Sequence, residues 1–289
     1  MKQPLLSVVI ANYNYGRFLE EAIQSLLTQS CQDFEIIICD AASTDNSVDV
    51  IRKYADRIAW WCSEKDGGQS AAFNKGFSHA HGRLLTWLNA DDVMLPGTIE
   101  KLKIAAEKYP KCEWFVGGVF WLDPEMRIVN CGRGRPFSEI RYREGNVSVW
   151  GPSSFFTKRL LNAVGCVDER FHFSMDTDLW LRFAHMEHAR YLPFCNYAWG
   201  LRMHPDAKMS GHNFAADGSL DMNHSEEEKL KASKHRKQRE LETSLRDEYF
   251  TACKSSFISR LLSCSFLAVL AARFDLCRFR NRHYKEYYK

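Results

Sequence analysis

The sequence contains no Cys-x-x-Cys pair although it has 10 cysteines. Several of these lie inside apolar runs, where a thiol behaves as a small hydrophobe, so neither a zinc site nor a disulfide framework is expected. No apolar run is long enough to span a bilayer: Leu261–Ala272 falls well short of the roughly 20 residues that a crossing helix needs. No signal-peptide pattern precedes the first strand-like run, which starts at Leu5, and the expected location is therefore reducing and cytoplasmic. A Gly-rich, Lys-containing phosphate loop is also missing, since Gly132-Arg133-Gly134 has no strand-to-helix context. The net charge is only +3, too small to make nucleic acid a partner. What remains is a globular composition, 45% hydrophobic and 26% charged over 289 residues, enough for one substantial core with a smaller appendage.

Apolar runs of strand length occur at Leu5–Ala11, Phe34–Cys39, Ile58–Cys62 and Leu84–Leu88. Helical stripes alternate with them: Phe18, Leu19, Ala22, Ile23, Leu26 and Leu27 first, then Val48, Ile51 and Tyr54, then Ala72, Phe73 and Phe77. This β-α-β-α-β-α-β order predicts a doubly wound, mostly parallel sheet flanked by helices. Further on, Glu113–Phe120 and Arg127–Asn130 read as strands, 132–152 as loop, and Lys158–Val164 and Asp176–His188 as helices. We divide the chain into an α/β domain over residues 1–220 and a helical extension over 221–289.

The most informative stretch is Trp87-Leu88-Asn89-Ala90-Asp91-Asp92, an acidic cluster ending an apolar strand. Ligands of open α/β sheets collect at the carboxyl ends of the strands, so both carboxylates are expected to face a crevice. Paired carboxylates suit a hard divalent ion such as Mg²⁺ or Mn²⁺. The plainer alternative makes Asp92 the cap of the helix that follows Pro96. Two more strand ends converge on the same crevice: Ala11-Asn12-Tyr13-Asn14-Tyr15-Gly16, and Asp40-Ala41-Ala42-Ser43-Thr44-Asp45. An aromatic face such as Tyr13 can stack on a nucleobase, and a carboxylate such as Asp40 can accept an imide N–H.

With these segments in view, the sequence resembles a family 2 glycosyltransferase of the inverting GT-A type over roughly residues 5–212. The resemblance rests on Ser7–Asn14, Asp40–Asp45, Asp66-Gly67-Gly68-Gln69-Ser70 with Asn74-Lys75-Gly76, Trp87–Asp92 with Pro96-Gly97, and Met175–Arg182. It implies that Tyr13 and Asp40 hold a uracil ring beside Ala11. It also implies that the Asp-x-Asp motif falls on Asn89-Ala90-Asp91, with Asn89 at the ribose and Asp91 on the metal, Mn²⁺ or Mg²⁺. Asp176 then stands as general base with Asp178 as its fallback, while Arg202 and His204 match an Arg-x-His segment whose histidine approaches metal or diphosphate. His185 and His188 have helical spacing but read as a surface feature. The implied reaction is inverting transfer of a sugar, hexosyl in type, from a UDP-sugar or other nucleotide-sugar donor. The acceptor is a saccharide or lipid-linked saccharide in bacterial polysaccharide or glycoconjugate assembly.

Two other classes compete: a sugar nucleotidyltransferase, disfavoured by the missing phosphate loop, and a non-catalytic nucleotide-binding scaffold, favoured by Asn89 and by Met175 in place of the family's Glu. The last residues bear on location. Phe257–Ala272, with Arg273, Arg278, Arg280 and Arg282 after it, fits an interfacial helix with a basic rim as well as it fits a helix packed on the domain. Peripheral contact with the inner face of the cell membrane through 255–289 is the corresponding expectation.

Overall fold

A computed structural model describes residues 3–135, 149–186, 191–195, 197–208 and 282–285. The alternation read from the sequence is there. Strand β1 (Leu6–Asn12) leads through α1 (Gly16–Leu27) to β2 (Phe34–Asp40), then α2 (Ser47–Lys53), β3 (Trp60–Ser63), α3 (Gln69–Ser78) and β4 (Leu84–Asn89). The following elements are β5 (Val93–Met94), α4 (Thr98–Lys108), β6 (Trp114–Val116), β7 (Val119–Leu122) and β8 (Ile128–Gly132). After these come β9 (Ser154–Thr157), α5 (Lys158–Ala163), α6 (Met175–Ala184), β10 (Tyr191–Pro193) and β11 (Trp199–Arg202).

The main sheet runs β10-β6-β9-β4-β1-β2-β3, with β4-β1-β2-β3 parallel and β9 antiparallel to both its neighbours. Its central strands are continuous apolar runs because both faces are covered. Leu6, Val8 and Ile10 of β1 join Ile36 and Ile38 in the core under α1 and α4, while Val9 and Ile37 join Phe73 and Phe77 of α3 on the opposite face. A second sheet, β5-β11-β7-β8, stands beside it. The chain leaves β1 in one direction to form β2 and β3 and returns to its other side as β4, so a topological switch point lies between β1 and β4.

One sequence expectation is corrected here. Glu113–Phe120 is not one strand: the chain breaks at Gly117-Gly118 because β6 belongs to the main sheet and β7 to the second. Just after the stretch read as loop, Ser154–Thr157 forms the antiparallel strand β9, which the sequence reading did not assign. The proposed helices of the 221–289 extension lie outside the described residues. Among the described residues, no helix is long and apolar enough to cross a membrane.

One aromatic stack ties the acidic loop to the late helix. Trp87 on β4 lies flat against Trp180 on α6, with centroids 5.3 Å apart and planes 1° from parallel, and Trp114 stacks on Trp180 at 5.4 Å. Trp180 is fully buried and sits one helical turn after Asp176. Trp180→Ala is therefore expected to cost about 3–5 kcal/mol, read as a shifted midpoint in urea. A cost below ~1 kcal/mol would contradict this packing.

Candidate active site

The register of β1 brings the carboxyl ends of β1, β2 and β4 side by side. Ala11 pairs with Cys39 on one side and Asn89 on the other, and Asn12 pairs with Asp40. The loops after β1 and β2 are joined by side chains: Asn14 N–H donates to Ser43 Oγ at 2.8 Å, Thr44 N–H to Asn14 Oδ1 at 2.8 Å, and Gly16 N–H to Asp45 Oδ2 at 2.9 Å. Gly16 is required by close approach, since a Cβ there would lie 2.7 Å from Ser47 N and collide with Asn46. Ala42 takes a left-handed φ of 57°, a conformation that costs an L residue roughly 1–2 kcal/mol. On this framework the Tyr13 ring stands 59% exposed, open to stacking.

Asp40 is enclosed by donors of the protein. It is 1% exposed, and its oxygens accept from Asn12 Nδ2 at 2.7 Å, Ser43 Oγ at 2.5 Å, Ser43 N–H at 3.0 Å and Ser63 Oγ at 2.6 Å. A carboxylate has about four lone-pair sites, and all are met by the protein. An imide N–H reaching Asp40 has to displace one of these donors, and the same bonds join the β1, β2 and β3 ends.

The acidic pair is split. Asp91 keeps partial exposure and sits 3.2 Å, Oδ2 to Nε2, from the buried imidazole of His204. Asp92 turns inward, 2% exposed, and accepts from Asn89 Nδ2 at 2.7 Å and from Arg202 N–H at 3.0 Å. Burial, then the Asp91 charge, push the Asp92 carboxyl well above the usual range. The expectation that both carboxylates face the crevice is thus corrected. Asp92 is not the helix cap either, because α4 begins at Thr98 after Gly97. Arg202, 7% exposed, donates through Nε to Asp91 O at 3.0 Å and through Nη2 to Glu21 Oε2 at 2.5 Å. It is a strut of the acidic turn.

Asn89 is held at both ends of its amide, by Asp92 and by Gln69 Nε2, which donates to Asn89 Oδ1 at 3.0 Å. Gln69 Oε1 in turn accepts from Lys208 Nζ at 2.9 Å. Sequence reasoning missed Lys208 and Gln69; Gln69 stood within a quoted motif, whereas Lys208 lies in a stretch without one.

Asp176 stands in the first turn of α6. Its Oδ1 accepts from Thr177 N–H at 2.7 Å and Thr177 Oγ1 at 3.3 Å, and a Cβ on Gly151 would sit 3.5 Å from its Oδ2. Burial raises its proton affinity, opposed by the Thr177 hydrogen bonds and the Lys208 charge. Met175, beside it, is a core residue whose sulfur accepts from Ser70 Oγ at 3.1 Å. Asp178, the fallback base, is bound instead to Arg182 through Nε at 2.9 Å and Nη2 at 2.6 Å. His185 Nδ1 lies 2.7 Å from Leu181 O, and residue 188 is outside the described set.

A divalent ion fits the donors on hand. Asp91 supplies hard oxygen, and the buried His204 turns its Nε2 toward that oxygen at 3.2 Å, so both atoms face one position. The described residues contain no cluster of three or more His, Cys, Asp or Glu suited to a metal, which leaves most of a coordination shell to phosphate and water.

The Glycosyl transferase family 2 model matches residues 7–155. An uncharacterized glycosyltransferase of Nostoc sp. is 42% identical over 100 residues, 34% of this chain and 31% of that protein. The chain thus spans about a third of that relative's length. Among solved structures, S. aureus TarS in complex with UDP matches with a TM-score of 0.54 at 19% identity, covering 69% of this chain and 61% of TarS. The mannosyltransferase PcManGT of Pyrobaculum calidifontis, in complex with GDP-Man and Mn²⁺, matches with a TM-score of 0.50 at 17% identity over 93% of this chain and 81% of that one. These neighbours share the GT-A type fold.

Proposed function

Because the chain belongs to glycosyl transferase family 2, we propose that it transfers a single sugar, hexosyl in type and with inversion, from a nucleotide-sugar donor to an acceptor hydroxyl. The observation that carries this reading is the Asp91–His204 pair at the end of β4, beside the switch point of the sheet, with Asp176 linked to the same turn through the charge of Lys208, whose Nζ bonds the Gln69 that holds Asn89. The likeness to a UDP-bound TarS fold makes a UDP-sugar the first donor to try. Saccharides and lipid-linked saccharides of polysaccharide or glycoconjugate assembly are the acceptor classes. The expected peripheral membrane contact stays part of this proposal, except that residues 282–285 of the segment lie on the main domain.

The residues divide the work. Tyr13 stacks on the base, and Asn12, Asp40 and Ser43 keep its loop in shape. Ala11 leaves room at the floor, and Asn89, oriented by Gln69 and Asp92, presents its amide to the ribose. Asp91 and His204 hold Mn²⁺ or Mg²⁺, which when bound offsets the negative charge that grows on the departing diphosphate. Asp176 takes the proton of the acceptor hydroxyl as that oxygen attacks the anomeric carbon from the face opposite the nucleotide. An ionised carboxylate held by Thr177 needs orientation more than activation.

Proton NMR of the sugar released or transferred from a panel of UDP-sugars tests the reading. The expected product has the anomeric configuration opposite to the donor's; retention, or turnover to a nucleoside triphosphate and sugar phosphate, would overturn it. Base–aromatic stacking contributes about 1–3 kcal/mol. Tyr13→Ala is accordingly expected to weaken nucleotide binding by about tenfold or more, seen by calorimetry, with the melting temperature unchanged because the ring is exposed.

A further inference from the structure

Residues 282–285 return to the main domain beside the acidic turn. Ile128 N–H donates to Arg282 O at 2.7 Å, Tyr284 N–H donates to Met126 O at 3.1 Å, and Arg127 pairs with His283 in an antiparallel bridge. The segment therefore clips onto β8, the edge strand of the second sheet, and covers backbone groups that an open edge would expose. The clip delivers the Tyr284 ring, 2% exposed, into an apolar cluster with Val93, Leu95, Phe120, Leu122 and Tyr197.

That cluster is the packing beneath the metal-binding turn. Val93 opens β5 two residues after Asp91, and β5 pairs with β11, which carries Arg202. Arg202 holds the Asp91 carbonyl and Glu21, and its own N–H holds Asp92. Burial and the charge of Glu21 raise the proton affinity of the Tyr284 phenol, and Arg202 opposes them, so the hydroxyl end lies in the field of that ion pair. The turn holds two adjacent carboxylates that repel, and its shape depends on Arg202 staying in place.

We infer that Tyr284 is a positioning residue for Asp91: the 282–285 clip packs it against β5 beside Arg202, keeping the acidic turn in metal-binding shape. The inference rests on the reading of Asp91 and His204 as a cation site. Nothing in the Asp91 motif itself points to a residue almost two hundred positions away; only the fold joins them.

Mn²⁺ affinity of the full chain, followed by electron paramagnetic resonance with UDP present, tests it alongside UDP titration in EDTA. Tyr284→Leu keeps apolar volume but loses ring and hydroxyl, and it is expected to weaken Mn²⁺ about tenfold, as loss of a ligand-orienting partner does. Tyr284→Phe keeps the ring and is expected to weaken Mn²⁺ about threefold. Metal-free UDP affinity, which depends on Tyr13, stays within twofold in both. Unchanged Mn²⁺ affinity in both variants overturns the inference, and so does a parallel loss of metal-free UDP binding, which marks general loosening. A wild-type chain that does not bind Mn²⁺ overturns the cation reading beneath it, a result distinct from either.

Discussion

Asp91→Asn is expected to lower kcat/KM by at least about a thousandfold, equivalent to ~4 kcal/mol of transition-state stabilisation. Asn keeps the shape and an oxygen ligand but removes the charge that a hard cation requires. The fold should not suffer. Asp91 stands beside the buried Asp92 carboxylate and raises its proton affinity, so removing the Asp91 charge relieves a repulsion inside the turn. The backbone carbonyl through which Arg202 holds residue 91 is untouched by the substitution. A melting temperature equal to or above the wild type's, together with lost metal-dependent donor binding, is the expected pair of results. Activity within tenfold of wild type would show that another group holds the diphosphate.

Asp176→Asn is expected to reduce kcat by about a thousandfold, within the range for removing a general base, while the donor dissociation constant moves less than threefold. A base that touches only the acceptor proton contributes nothing to nucleotide binding. Proton linkage supplies a second readout. Burial raises the folded-state proton affinity of Asp176, so the folded chain holds this proton more tightly than the unfolded one. Stability from this group is therefore lost as pH rises through the folded value, and the full cost is present at neutral pH. Asn carries no such cost. The variant should melt above the wild type at neutral pH, and the gap should close as pH falls below the ordinary aspartate range. The acid limb of the wild-type kcat profile should correspondingly lie above that range. A variant that melts lower at neutral pH, or that loses donor binding in step with kcat, would contradict the assignment.

The parts of this molecule legible in the sequence are those where burial on both faces leaves an unmixed signal. β1, β2 and β4 read as apolar runs because side chains above and below the sheet are equally enclosed. β9 was hidden because Ser154-Phe155-Phe156-Thr157 is short and follows Gly151-Pro152, a pair that reads as turn. The passage from β6 to β7 was hidden because two adjacent apolar strands in different sheets look like one strand when only glycines part them.

Within the site, the loops were legible and the orientations were not. Residue type and spacing singled out Tyr13, Asn89, Asp91, Asp176 and His204, of which Asp91 and His204 meet directly. Only the resemblance set Asp91 apart from Asp92; residue type and spacing alone did not show that the two neighbouring carboxylates point in opposite directions, one toward His204 and one toward the Arg202 backbone. Nor did they show that Asp40 is enclosed by donors from three separate elements, since Asn12, Ser43 and Ser63 meet only once the parallel strands are in register. Arg202 was noted as half of a short motif, and its work as a strut between Glu21 and the acidic turn depends on a contact across about 180 positions of sequence.

The central claim is that Asp91 and His204 form, with Tyr13, a metal-dependent nucleotide site. Calorimetric titration of UDP, GDP and dTDP into the protein with and without Mn²⁺, with Asp91→Ala as control, tests it most directly. The account predicts binding of one nucleotide that Mn²⁺ tightens by about tenfold or more, with that gain lost in the variant. Binding of none of the three, or binding indifferent to both Mn²⁺ and Asp91, would contradict it and move the weight to a non-catalytic scaffold on the same fold.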